Sequence, residues 1–333
     1  MNAIEISDFT KRYGTTTAVD TISLSVRQGE LFGLMGPDGA GKTTTMRAVC
    51  TLLVPDGGTI VVQGLDVSRD LIRIRELLGY MPQRFSLYQD LSVEQNLRFF
   101  ADLFRVRSAE RREREEQLYR FSRLGEFRKR KAGALSGGMK QKLALSCALV
   151  HTPGVLVLDE PTTGVDPVSR QEFWDILRSI QKQGTTIFVS TAYLEEADKC
   201  DRVALMHSGR IVLAGTPSEV RASFRHPLYR LKGKNLRALQ AFFAGAAETR
   251  TTQLFGDALH VVFNVEPPED RWGDWLSQSG GNLESWAKQP PSIEDVFMDF
   301  VSGHEGDEPG GERTGGERAG DERARGKRTG GPQ

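Results

Sequence analysis

Leu31-Phe32-Gly33-Leu34-Met35-Gly36-Pro37-Asp38-Gly39-Ala40-Gly41-Lys42-Thr43 decides the fold. The apolar run from Leu31 to Met35 predicts a buried strand, and the text after the glycine-rich turn predicts a helix from Lys42 to about Leu53. Residues 36–43 match G-x-x-x-x-G-K-[ST] at every fixed position, in the strand-loop-helix order that gives the pattern its meaning. Glycines let backbone N–H groups turn inward on a polyphosphate, and the positive end of the following helix dipole backs them. The candidate binding residues are therefore Gly36, Pro37, Asp38, Gly39, Ala40, Gly41, Lys42, Thr43 and the adjoining Thr44. Lys42 supplies the charge for the β/γ oxygens. Thr43 supplies a hydroxyl for Mg²⁺, an ion that keeps most of its waters and takes one or two protein oxygens.

Working outward, short apolar runs alternate with helix-like segments through the first two hundred residues, the pattern of an α/β body with a largely parallel sheet. Gly154-Val155-Leu156-Val157-Leu158 predicts a central strand that delivers Asp159 at its C-terminal end, where open α/β sheets bind ligands. Asp159 is the candidate carboxylate behind the metal. Glu160 is the candidate base for an attacking water. Thr185 to Ser190 predicts another central strand, and Ser92 to Lys131 reads as a helical insertion whose charged stretch, Glu110 to Glu116, is a solvated helix face.

After Thr216-Pro217 the order becomes strand (Leu228 to Leu231), helix (Leu236 to Phe243), two strands meeting at Gly256-Asp257, helix (Trp272 to Ser277) and strand (Leu283 to Ala287). A last helix starts at Ser292, with Asp295 as capping-box acid. That β-α-β-β-α-β order predicts a small α+β, ferredoxin-like unit. From Ser302 onward near-repeats of Gly-Gly-Glu-Arg predict a disordered tail, because little apolar surface is there to offset the entropy of ordering.

The chain's 333 residues suit about two domains. Its 44 Lys+Arg balance 44 Asp+Glu, which removes the basic excess that nucleic-acid binding without sequence readout needs. No apolar run approaches the roughly 20 residues of a membrane span. Met1-Asn2-Ala3-Ile4-Glu5 lacks the features of an export signal, which predicts a cytosolic product. Cys50, Cys147 and Cys200 are far apart and read as reduced, unpaired thiols, and the histidines show no spacing for a zinc site.

Between the phosphate loop and Asp159 lies Leu135-Ser136-Gly137-Gly138-Met139-Lys140-Gln141. With it the sequence resembles the ATP-binding cassette (ABC) family over about residues 1–220: a P-loop NTPase nucleotide-binding domain with a helical subdomain at about 85–140, followed by the α+β unit at 221–301 and the tail at 302–333. The resemblance implies that Ser136, Gly137 and Gly138 bind the γ-phosphate of ATP held by a second copy, and that the cofactors are ATP and Mg²⁺. It implies further roles one position at a time. Tyr13 stacks on adenine, Gln83 touches Mg²⁺ or its water, and Asp166 communicates across the dimer. Lys42, Gln83 and Glu160 are then the catalytic set, and Thr43, Gln83 and Asp159 the metal set.

Two positions depart from the family pattern. Met139 replaces a frequent glutamine beyond the Ser-Gly-Gly donors. Ala192 stands after Ser190-Thr191 where a histidine is expected, and losing one positioned donor costs about 10²–10³ in rate. Tyr193, next along an extended segment, points the other way and is no substitute.

Phe85-Ser86-Leu87-Tyr88 resembles the groove that receives a partner's helix, and Pro291 to Phe297 resembles the end of single-cassette ATPases of ABC-2 type exporters. The implied function is an ATP-hydrolysing subunit, homodimeric and peripheral on the cytoplasmic side of the cell membrane. It would power a separate permease for a drug-, polysaccharide- or lipid-like substrate. The alternative is a hydrolysis-impaired, ATP-dependent regulatory cassette. A cassette of translation or DNA repair is disfavoured by the neutral charge and the lack of a tandem repeat.

Overall fold

The computed structural model describes residues 1–84, 86–280 and 282–305. Its first two elements are long antiparallel strands, β1 (Asn2–Tyr13) and β2 (Thr16–Arg27), followed by β3 (Leu31–Met35) and α1 (Lys42–Val49). β4 (Gly57–Val62) and β5 (Leu65–Asp66) complete an antiparallel sheet of order β2-β1-β4-β5. Its inner face carries Ile4, Ile6, Phe9, Val19, Ile22 and Val26, all buried. α1 is shorter than its sequence predicts. It ends at Val49, and Thr51 takes a left-handed φ of 59° where the chain turns away.

Then follow α2 (Leu71–Leu77), β6 (Leu78–Met81), α3 (Val93–Leu103), α4 (Ser108–Ser122), α5 (Gly137–Leu149), β7 (Val155–Asp159), α6 (Pro167–Lys182), β8 (Thr186–Thr191), β9 (Arg202–His207) and β10 (Arg210–Gly215). The six-stranded sheet has the order β10-β9-β3-β8-β7-β6, parallel throughout except for β10. Strands buried on both faces need apolar residues at every position. β3 and β7 meet that demand: Phe32, Leu34, Val155 and Val157 pack toward the first sheet, while Leu31, Met35, Leu156 and Leu158 pack on the opposite side with Phe173, Trp174 and Leu177 of α6.

The expected helical insertion contains two long helices, α3 and α4. Arg105 at φ 53° breaks the run, and Leu97, Ala101, Leu118, Leu143 and Cys147 form a core shared by α3, α4 and α5. A capping box at Ser92 and Gln95 starts α3, and α4 turns its charges outward, with Arg114 paired to Glu110. The three cysteines are buried free thiols, as their spacing predicts.

After α7 (Pro217–Ala222) come β11 (Leu228–Gly233), α8 (Leu236–Ala244), β12 (Thr249–Phe255), β13 (Ala258–Phe263), α9 (Glu269–Gln278), β14 (Leu283–Lys288) and α10 (Ile293–Glu305). The third sheet is antiparallel in the order β12-β13-β11-β14, the arrangement its β-α-β-β-α-β order predicts. Its core is aromatic: Trp275 stacks on Phe263 at 5.3 Å and meets Phe243 edge-on at 5.2 Å.

α10 does not belong to that core. Its Ile293, Val296 and Phe297 are buried with Phe173, Leu177 and Val220 beneath the six-stranded sheet, and its Asp295 accepts a 2.8 Å bond from His260 of β13. The expected tail therefore begins too early. Packing of that helix face, continued by Val301, carries the helix through Ser302 to Glu305, and the rest of the expected tail lies outside the described residues. Truncation of Phe297 to alanine is expected to cost about 3–5 kcal/mol in urea unfolding, the range for a buried aromatic. A loss below about 1 kcal/mol would mean that α10 is not anchored there.

Candidate functional site

The register of the parallel sheet builds the site. Met35 pairs with Thr191, and Asp159 with Ser190, so the C-terminal ends of β3, β8 and β7 finish at one level. From β3 the chain enters the turn, where Gly36 has φ 153° and Gly41 φ 106°, a range L residues avoid. The packing around both positions also excludes a side chain: a Cβ at Gly36 would lie 2.0 Å from the Met206 carbonyl oxygen, and one at Gly41 2.5 Å from that of Ala18. Pro37, Asp38 and Gly39 form the exposed crown of the turn, and Ala40 packs beneath it. Thr44 is half-buried in the first turn of α1.

Lys42 is buried, and its ammonium makes three contacts: Gly36 O at 2.8 Å, Pro37 O at 3.0 Å and Glu160 Oε1 at 3.0 Å. Those use the whole donor capacity of the group. Glu160 is also buried, and its second oxygen accepts from Gln83 Nε2 at 2.8 Å and from the Thr163 hydroxyl at 3.3 Å. Its backbone is left-handed at φ 49°, a conformation that costs about 1–3 kcal/mol at a non-glycine residue and clusters at functional sites.

Beside this pair, Thr43 Oγ1 donates to Asp159 Oδ1 at 3.0 Å and Ser190 Oγ donates to the same oxygen at 2.8 Å. Burial pushes the Asp159 carboxyl above its ordinary range, against the lowering effect of those two hydrogen bonds. The hydroxyl, the carboxylate and the nearby Gln83 amide make an all-oxygen donor set, which suits Mg²⁺. Among the described residues no group of three or more His, Cys, Asp or Glu could hold a metal by itself. An ion completed by phosphate oxygens and water needs no such group, so the residues present fit Mg²⁺ as the complex of a nucleotide.

A second group forms where α5 and α6 begin. Ser136 caps α5, its Oγ accepting from the Met139 N–H at 3.3 Å, with Gly137 and Gly138 as the first two helical residues. A Cβ on Gly138 would come within 2.6 Å of Ser169, so this turn packs closely on the start of α6. Asp166 caps α6 by accepting from Ser169 N–H at 2.9 Å; the Ser169 backbone bond, first among several, holds its carboxyl below the usual range. Met139 is half-buried against the helical core and leaves the Ser136 cap intact.

Tyr13, at the end of β1, is about half exposed, and the strand paired with it passes the phosphate loop at Ala18. Thr191 O accepts the Gly36 N–H at 3.3 Å, which puts Ala192 just past the entrance of the loop. Tyr193 turns away from it: its ring lies 4.0 Å from the Arg170 guanidinium of α6. Sequence reasoning missed Ser190 and Thr163 as site residues, and also Glu196. That buried carboxylate accepts from Thr162, Thr191 and Trp174 and ties the strand ends to α6.

A family model described as ABC transporter matches residues 19–163. The chain is 42% identical over 219 residues to a probable multidrug ABC transporter ATP-binding protein, YbhF, of Escherichia coli. That match takes in 66% of this chain and 38% of the relative, so the chain spans well under half the length of that protein. It is 38% identical over 300 residues to a Nod factor export ATP-binding protein I of Ralstonia nicotianae, covering 89% of this chain and 92% of the relative. Among solved structures, cbiO1 of Clostridium perfringens, part of the ABC transporter complex cbiONQ, superposes with a TM-score of 0.62 at 30% identity, over 66% of this chain and 91% of that one.

Gly41→Ala would force a side chain onto the Ala18 carbonyl in a left-handed backbone. Calorimetric titration is expected to show at least a tenfold loss of ATP affinity; unchanged affinity would mean that the turn tolerates distortion and does not grip phosphate.

Proposed function

This chain belongs to the ABC transporter ATP-binding family, and on that footing we propose that it binds and hydrolyses ATP to drive a separate membrane-spanning permease. The observation that carries the reading is the buried Lys42–Glu160 pair, with Thr43 and Asp159 beside it at the mouth of the glycine loop. A phosphate entering that loop competes with Glu160 for Lys42. When it succeeds, the Glu160 carboxylate is released toward water, where it takes the proton of the attacking nucleophile. Gln83 and Thr163 keep the carboxylate oriented. Thr43, Asp159 and Gln83 would hold Mg²⁺, which when bound neutralises charge on the β- and γ-oxygens. The exposed ring of Tyr13 stacks on the adenine.

The second group serves a second copy. Ser136, the Gly137 and Gly138 N–H groups and the dipole of α5 present unpaired donors to the γ-phosphate gripped by the other chain's loop. Asp166 sits beside them at the start of α6. Two chains thus enclose two nucleotides.

No described helix is long and apolar enough to cross a membrane. A cavity of about 500 Å³ opens between α2 and α3, lined by Leu52, Ile72, Phe100, Leu103 and Phe104 among others, with Leu52, Ile72 and Leu103 more than half exposed. Such a wet-rimmed apolar groove suits a short helix of the permease. Of the expected receiving segment, Leu87 is buried and Tyr88 exposed against Phe99, while Phe85 lies outside the described residues. The names of the relatives, multidrug and Nod factor export, support outward transport from the cytoplasmic face. We assign residues 1–220 to the nucleotide chemistry, with 85–140 as its helical part, and 221–301 to an accessory role.

Ala192 favours a second reading, a slow or regulatory cassette, because no side-chain donor stands at that position. Phosphate release separates the two. The unaltered chain, alone or with its permease, is expected to release phosphate and Lys42→Ala to release none; no release from the unaltered chain would sink the hydrolytic reading. Ala192→His is expected to raise the rate about 10²-fold, the size of one positioned donor. No gain would show that position 192 does not face the reacting phosphate.

A further inference from the structure

Ser190 is completely buried near the end of β8, and its single hydroxyl bonds the carboxylate of Asp159 and the backbone of Glu160. It donates to Asp159 Oδ1 at 2.8 Å and accepts the backbone N–H of Glu160 at 3.0 Å. The Glu160 N–H is shared with the Ser190 carbonyl oxygen at 3.2 Å, so one residue holds the left-handed turn at Glu160 from two atoms. Building on the ATPase reading above, we propose that Ser190 is a positioning residue that sets the metal-facing carboxylate and the base as one unit.

The geometry leaves little redundancy. Asp159 Oδ1 has two donors, Ser190 and Thr43. The Thr43 hydroxyl would also serve Mg²⁺ through an oxygen lone pair, so its position would follow the ion, whereas Ser190 donates to Asp159 from a fully buried strand position without a second task at the metal. On the other side, Ala192 contributes no donor, and the orientation of Glu160 depends on Gln83, Thr163, Lys42 and its own backbone. Gln83 and Thr163 are exposed, and Lys42 leaves for phosphate. Ser190 is buried, tied to a central strand and independent of nucleotide. Loss of a partner that orients a metal ligand typically lowers metal affinity or activity about 10–100-fold.

The test uses the full chain and two variants, Ser190→Ala and the hydroxyl-retaining Ser190→Thr. ATP binding is measured by calorimetry with Mg²⁺ and again with EDTA, beside phosphate release and thermal unfolding. For Ser190→Ala the metal-free ATP affinity is expected to be unchanged. The Mg²⁺ concentration for half-maximal binding is expected to rise about tenfold, and kcat to fall about 10–100-fold with KM for ATP nearly constant. Ser190→Thr is expected to recover most of both. Wild-type Mg²⁺ dependence in Ser190→Ala would overturn the proposal, and so would a loss of metal-free ATP binding in step with a lowered melting temperature, which is the mark of a merely structural serine. Because the binding measurements need no turnover, they decide for Ser190 even if the unaltered chain binds Mg·ATP without hydrolysing it; in that case the hydrolytic reading falls alone.

Discussion

A lysine ammonium and a glutamate carboxylate, both nearly withdrawn from water and 3.0 Å apart, are the interaction on which the rest depends. Removing such charges from solvent costs several kcal/mol per ion, and a well-packed apolar pair would serve stability as well or better. The pair makes physical sense as a site. Every strand end around it is arranged so that both charges stay satisfied: loop carbonyls on Lys42, an amide and a hydroxyl on Glu160, two hydroxyls on the neighbouring Asp159. The parallel register of β3, β8 and β7 holds these partners in place, and the close approach of Gly36 and Gly41 to neighbouring carbonyls holds the loop.

The same register couples chemistry to the periphery. Glu196 clamps the segment after Glu160, through Thr162, to the end of β8, through Thr191, and to α6, through Trp174. α10 packs against the turn that contains Glu196 and against α7 while reaching His260 of the third sheet through Asp295. The third sheet is thus joined to the strand end that precedes Ala192 by buried contacts rather than by a linker alone.

Much of this was legible in the sequence because it rests on short local patterns. The glycine loop, the apolar runs of β3 and β7, the carboxylates Asp159 and Glu160 and the β-α-β-β-α-β order of the last third are all read from neighbouring residues. What escaped depends on distant pairing. β1 and β2 went unassigned because bulges interrupt their pairing and their alternation is broken by exposed Thr and charged residues. Ser190 was read only as a strand residue, since its value comes from register with Asp159, and register between β7 and β8 is not written in either segment. The docking of α10 was missed for a similar reason: Ile293, Val296 and Phe297 show an apolar face without showing which core receives it. The tail was placed a helical turn too early because its composition changes at Ser302, before the helix itself ends.

The central claim is that phosphate draws Lys42 away from Glu160, and that Glu160 then acts as base while Ser136 of a second copy closes over the nucleotide. Sedimentation of a Glu160→Gln chain in saturating Mg·ATP, with the bound nucleotide assayed afterwards, addresses both parts together. A dimer retaining two intact ATP molecules is the expected result. A chain that stays monomeric, even beside its permease, or that hydrolyses ATP as fast as the unaltered protein, would contradict the account.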